Sequence, residues 1–337
     1  MSTTKQQCAY LIEPGQIELR GVPVPVPAAG QILIRIDSAL AGGTDRKAFL
    51  RGHPQIPMPG PFGHRYTGTV AAIGAGVDRF TVGQPVMGVH SAPCLQCALC
   101  RKGRPQLCPD VMKEKVLGAF AEYLLVPAPI VQQNLFERPG GLKPEHAVFL
   151  EPLACVVHGL SLLDFRGVEN VLVIGLGSMG LLFLQLLPGY TQAARFATGR
   201  HQARVELARR FGADARELMD NAVDDRRFDC VIECTGQLAG WREAAARVAP
   251  GGQVLLYGGV PRGTSIELDT FRLHYEEMRV LGSFHFAPRD VAAARQLLLS
   301  GRLDLDSLIS GQFPLARLAD ALHGLGSGAG MQYLIEP

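Results

Sequence analysis

Four cysteines lie close together in the segment PCLQCALCRKGRPQLC, which begins at Pro93. Their spacing is Cys-x2-Cys-x2-Cys-x7-Cys, and they are Cys94, Cys97, Cys100 and Cys108. Clustered thiols in a chain whose other cysteines are scattered predict a metal site rather than a disulfide framework. With zinc the site would be closed, because four thiolates complete a tetrahedral shell. An iron–sulfur centre is the alternative, but ferredoxin runs place about three residues before the last cysteine.

A glycine-rich motif follows the apolar run VLVI and precedes the apolar run LLFLQLL. It consists of Gly175, Gly177 and Gly180, with Ser178 and Met179 between the last two. The glycines permit a tight turn, so the N-terminus of the following helix can present N–H donors to a pyrophosphate. A turn that only lets helix and strand approach is the alternative. The strand before the motif and the helix after it favour dinucleotide binding.

The next strand ends in the residues ATGRH. In a dinucleotide-binding fold, side chains at this point contact the ribose of the adenosine. An acidic residue would bind the free 2′-hydroxyl of NAD, but the chain has Arg200 here and Arg204 one helical turn further. Guanidinium groups bind a 2′-phosphate by charge-assisted hydrogen bonds, so NADP(H) is the predicted cofactor. A solvated helix face is the alternative. The predicted cofactor-binding residues are Gly175, Gly177, Ser178, Met179, Gly180, Thr198, Gly199, Arg200, Arg204 and Thr235.

The overall composition excludes several classes of partner. The chain has 33 Lys and Arg against 31 Asp and Glu, which gives a formal net charge of +2. This balance does not produce the positive field that nucleic acid or an anionic membrane attracts, so we expect a small-molecule substrate. The apolar segment 171–187 contains three glycines and precedes Pro-Gly, which indicates a strand and a helix rather than a membrane span. The N-terminus has no export signal, so we expect a cytoplasmic protein.

The two halves of the chain differ in their hydrophobic patterns. Residues 1–150 contain short alternating or β-branched runs such as QILIRI and YTGTVAAIG, broken by Pro and Gly clusters. These predict an antiparallel, turn-rich β domain. From Val171 onward, buried-type strands such as FDCVIECTG alternate with helical stretches such as HQARVELARRFG, which predicts βαβ units. The predicted fold class is therefore α/β, a doubly wound parallel sheet beside an antiparallel β domain.

With these motifs the chain resembles the zinc-containing medium-chain dehydrogenase/reductases over nearly its whole length. It is most similar to the polyol and threonine dehydrogenase branch, whose EPLA motif begins here at Glu151. The resemblance implies a GroES-like substrate domain, residues 1–152 and 288–337, that carries a structural-zinc lobe. It implies a Rossmann dinucleotide-binding domain at residues 153–287. It also implies a homodimer or homotetramer, which we expect to form through the sheet edge near QVLLYGGV.

The chain departs from this family at the second, catalytic zinc. The family takes a thiol ligand from a CGTD-type motif and a histidine from a GHE motif, but here these stretches read AGGTD and GHR. Gly42 replaces the thiol and Arg65 replaces the glutamate. His64 and Glu151 remain as ligands, whereas a catalytic zinc takes about three. Because a guanidinium also repels Zn²⁺, we predict that the catalytic zinc is absent and that one structural Zn²⁺ remains.

Without this metal, hydride transfer to a carbonyl needs donors or cations that stabilise the charge on oxygen. Thr44 matches the hydroxyl that passes the proton in the family, and Lys47 stands where related motifs have a relay histidine. The predicted catalytic residues are Thr44, Lys47, His64, Arg65 and Glu151. Each has a structural alternative: Thr44 as a helix cap, Lys47 and Arg65 in solvent, and His64 bound to Glu151.

The predicted function is an NADP(H)-dependent oxidoreductase acting on a small carbonyl, alcohol, imine or activated alkene without a catalytic zinc. The first alternative is a zinc-dependent polyol or amino-alcohol dehydrogenase whose metal site Cys155 or water completes. The second alternative is an NADPH-binding regulatory protein that lacks turnover. The metal content separates the first alternative from the prediction, and cofactor oxidation across a carbonyl panel separates the second.

Overall fold

The computed structural model describes residues 4–217, 226–325 and 330–337. Contacts between Cα atoms divide the chain into two compact units. Unit 1 comprises Met1–Ala154 and Phe286–Pro337, and unit 2 comprises Cys155–His285. Within the described ranges, no helix combines the length and the apolar character that crossing a membrane requires. That unit 1 carries the substrate and unit 2 the cofactor stays a prediction, as do the cytoplasmic location and the oligomeric state.

The strands that the structure describes are short, and most have buried apolar side chains. They are β1 Lys5–Glu13, β2 Gln16–Pro23, β3 Ile32–Ala41, β4 Gly60–Pro61, β5 Tyr66–Ile73, β6 Pro85–Gly88, β7 Tyr123–Val126, β8 Leu135–Glu137, β9 Asn170–Ile174, β10 Ala194–Gly199, β11 Asp214–Glu217, β12 Phe228–Glu233, β13 Val248–Leu256, β14 Arg279–Gly282, β15 Gln312–Pro314 and β16 Tyr333–Glu336.

The helices follow the strands closely along the chain. They are α1 Gly43–Arg51, α2 Ala98–Arg101, α3 Ala128–Gln133, α4 Pro144–Ala147, α5 Leu150–Ser161, α6 Ser178–Leu186, α7 Gln202–Arg210, α8 Leu238–Ala246, α9 Thr270–Tyr275, α10 Pro288–Leu299 and α11 Leu318–Gly324. Single 3-10 turns lie at Pro105–Leu107, Leu187–Gly189, Asp306–Leu308 and Leu315–Arg317. The apolar segment 171–187 thus forms strand β9 and helix α6, as predicted.

Unit 1 is built on antiparallel strands. One sheet has the order β2-β1-β4, and a larger one has the order β15-β16-β3-β5-β6-β8, with β7 also paired to β3. The pairing is antiparallel throughout except between β15 and β16. Buried aromatic rings pack between these strands and α1, among them Phe49, Phe62, Tyr66 and Phe120. The C-terminal strand β16 pairs with β3, so the last part of the chain completes this unit.

Unit 2 contains a parallel sheet of order β11-β10-β9-β12-β13-β14. The order reverses between β9 and β12, where the first and fourth strands of the unit lie side by side. In such doubly wound sheets, ligands bind at the carboxyl ends of the strands at this switch point. The predicted fold class is confirmed. The stretch QVLLYGGV begins in β13, which is paired on both sides, and the neighbouring β14 forms one edge of the sheet. That chains associate through this edge stays a prediction.

Candidate active site

The cysteine cluster forms a compact lobe in unit 1. The Sγ atoms of the four cysteines lie within 4.8 Å of one another, and none of the four is in a disulfide. The Sγ atoms of Cys94 and Cys108 are 3.5 Å apart, close to the ~3.8 Å that a tetrahedron with Zn–S bonds of about 2.3 Å requires. The backbone N–H of Cys97 donates to Sγ of Cys94 over 3.3 Å, as in a thiolate turn around a metal. The residues therefore fit a closed structural zinc site.

Removal of one thiol tests this assignment. For Cys97→Ser we expect the zinc content to fall from about one ion per chain to about none, with a lower Tm, because three thiolates do not complete the tetrahedron. Elemental analysis and calorimetry measure the two effects. Cys8→Ala is the control, since this thiol is buried in strand β1, outside the cysteine cluster. A Cys97→Ser protein that retains its full zinc content would contradict the assignment.

Helix α1 begins at the altered motif AGGTD. Gly42 is its N-cap, and the backbone N–H of Gly42 donates a hydrogen bond of 2.9 Å to Oδ2 of Asp45. Oδ1 of Asp45 lies 3.2 Å from Nδ1 of His64. Asp45 is fully buried, and its carboxylate lies beside the His64 ring as an ion-pair partner, although Oδ1 makes no hydrogen bond of good geometry among the described residues. Thr44 lies inside the first turn of α1, so it is not the helix cap.

Arg65 and Glu151 form a buried ion pair. Nε of Arg65 donates to Oε2 of Glu151 over 2.7 Å, and both residues are 5% exposed. Arg65 therefore does not face the solvent, as one structural alternative had it. Glu151 binds this guanidinium, whereas the other alternative paired Glu151 with His64. Burial by itself raises the pKa of Glu151, but the charge of Arg65, followed by those of His64 and His90, lowers the pKa to about 2. Glu151 is ionised at every physiological pH.

His90 joins this cluster, although sequence reasoning missed it. Its ring is 6% exposed and lies perpendicular to that of His64, with 5.0 Å between the centroids. Ligand atoms of His64, His90 and Glu151 all lie within 4.8 Å of one another. His90 belongs to no motif, and the available signal was its place four residues before Cys94, on the segment that enters the cysteine lobe.

This three-group cluster has the ligand number of a catalytic zinc, but its surroundings do not fit one. Glu151 is the anion of the cluster, and Arg65 already neutralises it. A divalent ion about 4 Å from a fixed unit cation meets a repulsion of about 8 kcal/mol at an effective dielectric constant of 20. Nη1 of Arg65 also lies 2.5 Å from the position that a Cβ atom on Gly42 would occupy. The guanidinium therefore takes up room that a side chain at position 42 would need.

The remaining predicted catalytic residues, Thr44 and Lys47, lie on helix α1. The same helix carries Asp45, which pairs with His64. Thr44 and Lys47 are both partly buried. Burial is the main cause of the lowered pKa of His53, and the charges of His64 and Lys47 lower it further. Lys47 and His64 therefore act on the same imidazole. The metal-ligand cluster formed by the described residues does not include Cys155, which the zinc-dependent alternative named, besides water, as a ligand that could complete the site.

The glycine-rich motif joins β9 to α6 in unit 2. Gly175 has a φ of +99°, which glycine adopts without the strain that other residues incur. Gly177 is the N-cap of α6, and a side chain on Gly180 would collide with the carbonyl oxygen of Gly175. Ser178 and Met179 therefore open the helix, and their backbone N–H groups lie in its first turn, where they can bind a phosphate.

Two arginines follow the end of β10. Arg200 is exposed and Arg204 is partly buried. Burial, and then the charge of Arg200, lower the pKa of Arg204. Burial is also the main cause of the lowered pKa of His201, and the charges of Arg204 and Arg200 lower that pKa further. This concentration of positive charge favours an anion. Oγ1 of Thr198, the residue before the last one of the same strand, is buried and has no hydrogen-bond partner among the described residues.

Glu233 is a second residue that sequence reasoning missed. It ends β12 beside Ile174 of β9, at the switch point of the sheet, and is fully buried. Its Oε1 accepts hydrogen bonds from the backbone N–H and the hydroxyl of Thr235 and from the N–H of Gly236. Burial raises the pKa of Glu233, although these hydrogen bonds oppose the shift. Glu233 thus orders the loop that carries the predicted cofactor residue Thr235.

Known proteins share this architecture. The family model of the alcohol dehydrogenase GroES-like domain matches residues 28–134. The family model of the glucose dehydrogenase C-terminus matches residues 145–325. Sorbitol dehydrogenase of Bacillus subtilis (strain 168) is 27% identical over 325 residues, 91% of this chain and 90% of that protein. L-threonine 3-dehydrogenase of Xanthomonas oryzae pv. oryzae (strain MAFF 311018) is 29% identical over 313 residues, 89% and 90% of the two chains. A zinc-binding dehydrogenase from Sinorhizobium meliloti 1021, solved with NADP, has a TM-score of 0.88 and 29% identity over 99% of both chains.

The fold, with its glycine-rich motif at the start of α6, and these relatives define an oxidoreductase with a dinucleotide-binding domain. The second family model alone spans more than half of the chain. The chain belongs to the zinc-containing medium-chain dehydrogenase/reductase superfamily. The predicted family and the predicted class of enzyme are therefore confirmed.

Proposed function

We propose that this chain is an NADP(H)-dependent oxidoreductase that reduces a small carbonyl, imine or activated alkene, or oxidises the corresponding alcohol, without a catalytic zinc. The observation that supports the proposal is the guanidinium of Arg65, which is bonded to Glu151 and fills the space beside Gly42. A preorganised cation in a water-poor site stabilises the negative charge that develops on the substrate oxygen. The same charge opposes Zn²⁺, so one residue explains both the loss of the metal and its replacement.

Each residue of the cluster has a role in this reaction. Bound NADPH supplies the hydride. Arg65 stabilises the oxyanion, and Glu151 holds its guanidinium in place through Nε. His64, paired with Asp45, donates the proton that converts the oxyanion into a hydroxyl group. Thr44 and Lys47 then return a proton from solvent to the cluster.

The cofactor preference is proposed from the arginines after β10. Arg200 and Arg204 form a cationic site where the 2′-substituent of the adenosine ribose is recognised in this fold. The Sinorhizobium meliloti dehydrogenase of the same fold was solved with NADP. Both observations favour NADP(H) over NAD(H).

Substitution of the partly buried arginine tests this preference. For Arg204→Ala we expect the KM for NADPH to rise about 10- to 100-fold and the KM for NADH to stay the same, because a charge-assisted hydrogen bond to the 2′-phosphate is lost. Steady-state kinetics with both cofactors measure the ratio. Arg210→Ala, on the same helix, is the control. An equal change for NADPH and NADH would contradict the role of Arg204.

A second candidate is supported by the cluster of His64, His90 and Glu151, whose ligand atoms lie close enough for one metal ion. In that case the chain is a zinc-dependent polyol or amino-alcohol dehydrogenase with a rearranged ligand set. Elemental analysis of the purified protein decides between the two. One zinc per chain, with turnover across a carbonyl panel, supports our proposal. Two zinc ions per chain, reduced to one by His90→Ala, support the rearranged site.

A further inference from the structure

Gly42 has no conformational reason to be glycine. Its backbone angles, φ −146° and ψ −163°, are those of extended chain that any residue adopts. As an N-cap it also leaves α1 without a side-chain hydrogen bond, which serine or aspartate would provide. The neighbouring Gly43 is different, because a Cβ atom built there meets nothing within 4 Å. The requirement at position 42 must therefore come from the space around it.

The space beside Gly42 is filled by Arg65. A Cβ atom on Gly42 would lie 2.5 Å from Nη1 and 3.6 Å from Cζ of Arg65, and 3.7 Å from Nε2 of Gln332. An ordinary contact would require Nη1 to move by about 1 Å. The guanidinium is not free to do so, because its Nε is bonded to Glu151 and the residue is buried.

We propose that Gly42 is a positioning residue of the active site and forms a mutually exclusive pair with Arg65. The absent side chain holds room for the guanidinium, so the site contains either a side chain at position 42 or the cation, but not both. This inference rests on the proposed function, in which Arg65 acts on the substrate oxygen. It goes further, because it attributes the absence of the catalytic metal to the combination of glycine at position 42 and arginine at position 65, and not to the loss of the thiol alone.

The effect of a side chain at position 42 passes through Arg65 and not through His64. The contact of Gly42 with Asp45 uses the backbone N–H, which every residue except proline retains. The Asp45–His64 interaction therefore remains when position 42 is changed. Displacement of a catalytic group by about 1 Å reduces turnover by up to about 100-fold.

A double-mutant cycle tests the pair. In the wild-type background we expect Gly42→Ala to lower kcat about 10- to 100-fold, whereas Gly43→Ala, the matched control one residue away, changes kcat less than about twofold. In the Arg65→Gln background, Gly42→Ala should add less than about twofold, because the guanidinium is already gone. Equal effects of the two glycine substitutions, or an undiminished effect of Gly42→Ala in the Arg65→Gln background, would overturn the inference.

Metal binding provides a readout that does not depend on activity. After dialysis against Zn²⁺, the double variant Gly42→Cys/Arg65→Glu should hold about two zinc ions per chain, and each single variant about one. A second zinc in Gly42→Cys alone would show that Arg65 yields to a side chain, which overturns the inference. The proposed function fails separately, if Arg65→Gln retains full turnover or the wild-type protein holds two zinc ions.

Discussion

Arg65→Gln is expected to lower kcat by about 10²- to 10³-fold for the best substrate of a carbonyl panel, with the structural zinc retained. Glutamine keeps hydrogen-bonding capacity but loses the permanent charge that stabilises the oxyanion. Loss of one preorganised donor in an oxyanion site typically has an effect of this size. Steady-state kinetics with NADPH and elemental analysis provide the two measurements.

Two further variants separate catalysis from folding. Arg20→Gln is the matched control, because Arg20 also forms an ion pair with a glutamate, Glu18, at 2.8 Å, but both side chains are 43% exposed. We expect its kcat to equal that of the wild type. In Arg65→Gln/Glu151→Gln a neutral amide also replaces the buried carboxylate, so we expect the protein to remain folded while turnover stays low. A double variant with wild-type kcat would show that Arg65 serves only to neutralise Glu151.

Glu151→Gln is expected to lower the free energy of unfolding by about 3 to 5 kcal/mol, because it leaves the guanidinium of Arg65 buried without its anion. Urea unfolding at neutral pH measures the change. Glu18→Gln removes the anion of the exposed pair and should cost at most about 1 kcal/mol. The double variant Arg65→Gln/Glu151→Gln should recover most of the loss. Similar costs for the buried and the exposed pair would contradict this account of Glu151.

The same ion pair predicts how stability depends on pH. The pKa of Glu151 falls from its ordinary 4.5 to about 2 in the folded protein. A carboxyl group with a lowered pKa contributes its full stability above the unfolded value and loses it as the pH falls toward the folded value. We therefore expect about 3 kcal/mol to disappear between pH 4.5 and pH 2 in the wild type and to be missing in Arg65→Gln/Glu151→Gln. Urea unfolding across this range measures the difference.

Local patterns were sufficient for the fold class and for the placement of two motifs, the glycine-rich turn and the cysteine cluster. The motif around Gly175 joins a strand to a helix within a dozen residues, and the four cysteines lie on one short segment, so neighbours in sequence are neighbours in space. The short strands β11 and β14 carried no such pattern. Strand β11 has the sequence DARE, and its place at the edge of the parallel sheet depends on pairing with β10 rather than on its own residues.

The tertiary structure decided what surrounds the altered metal site. The sequence by itself determined that a thiol was replaced by Gly42 and a glutamate by Arg65, but not where the new cation would point. Arg65 and Glu151 are 86 residues apart, and His90 belongs to no motif. Their meeting depends on the packing of the residue before β5, the first turn of α5 and the loop after β6 against one another. Charge and space around Gly42 are properties of the folded chain, because each is set by side chains from several distant segments.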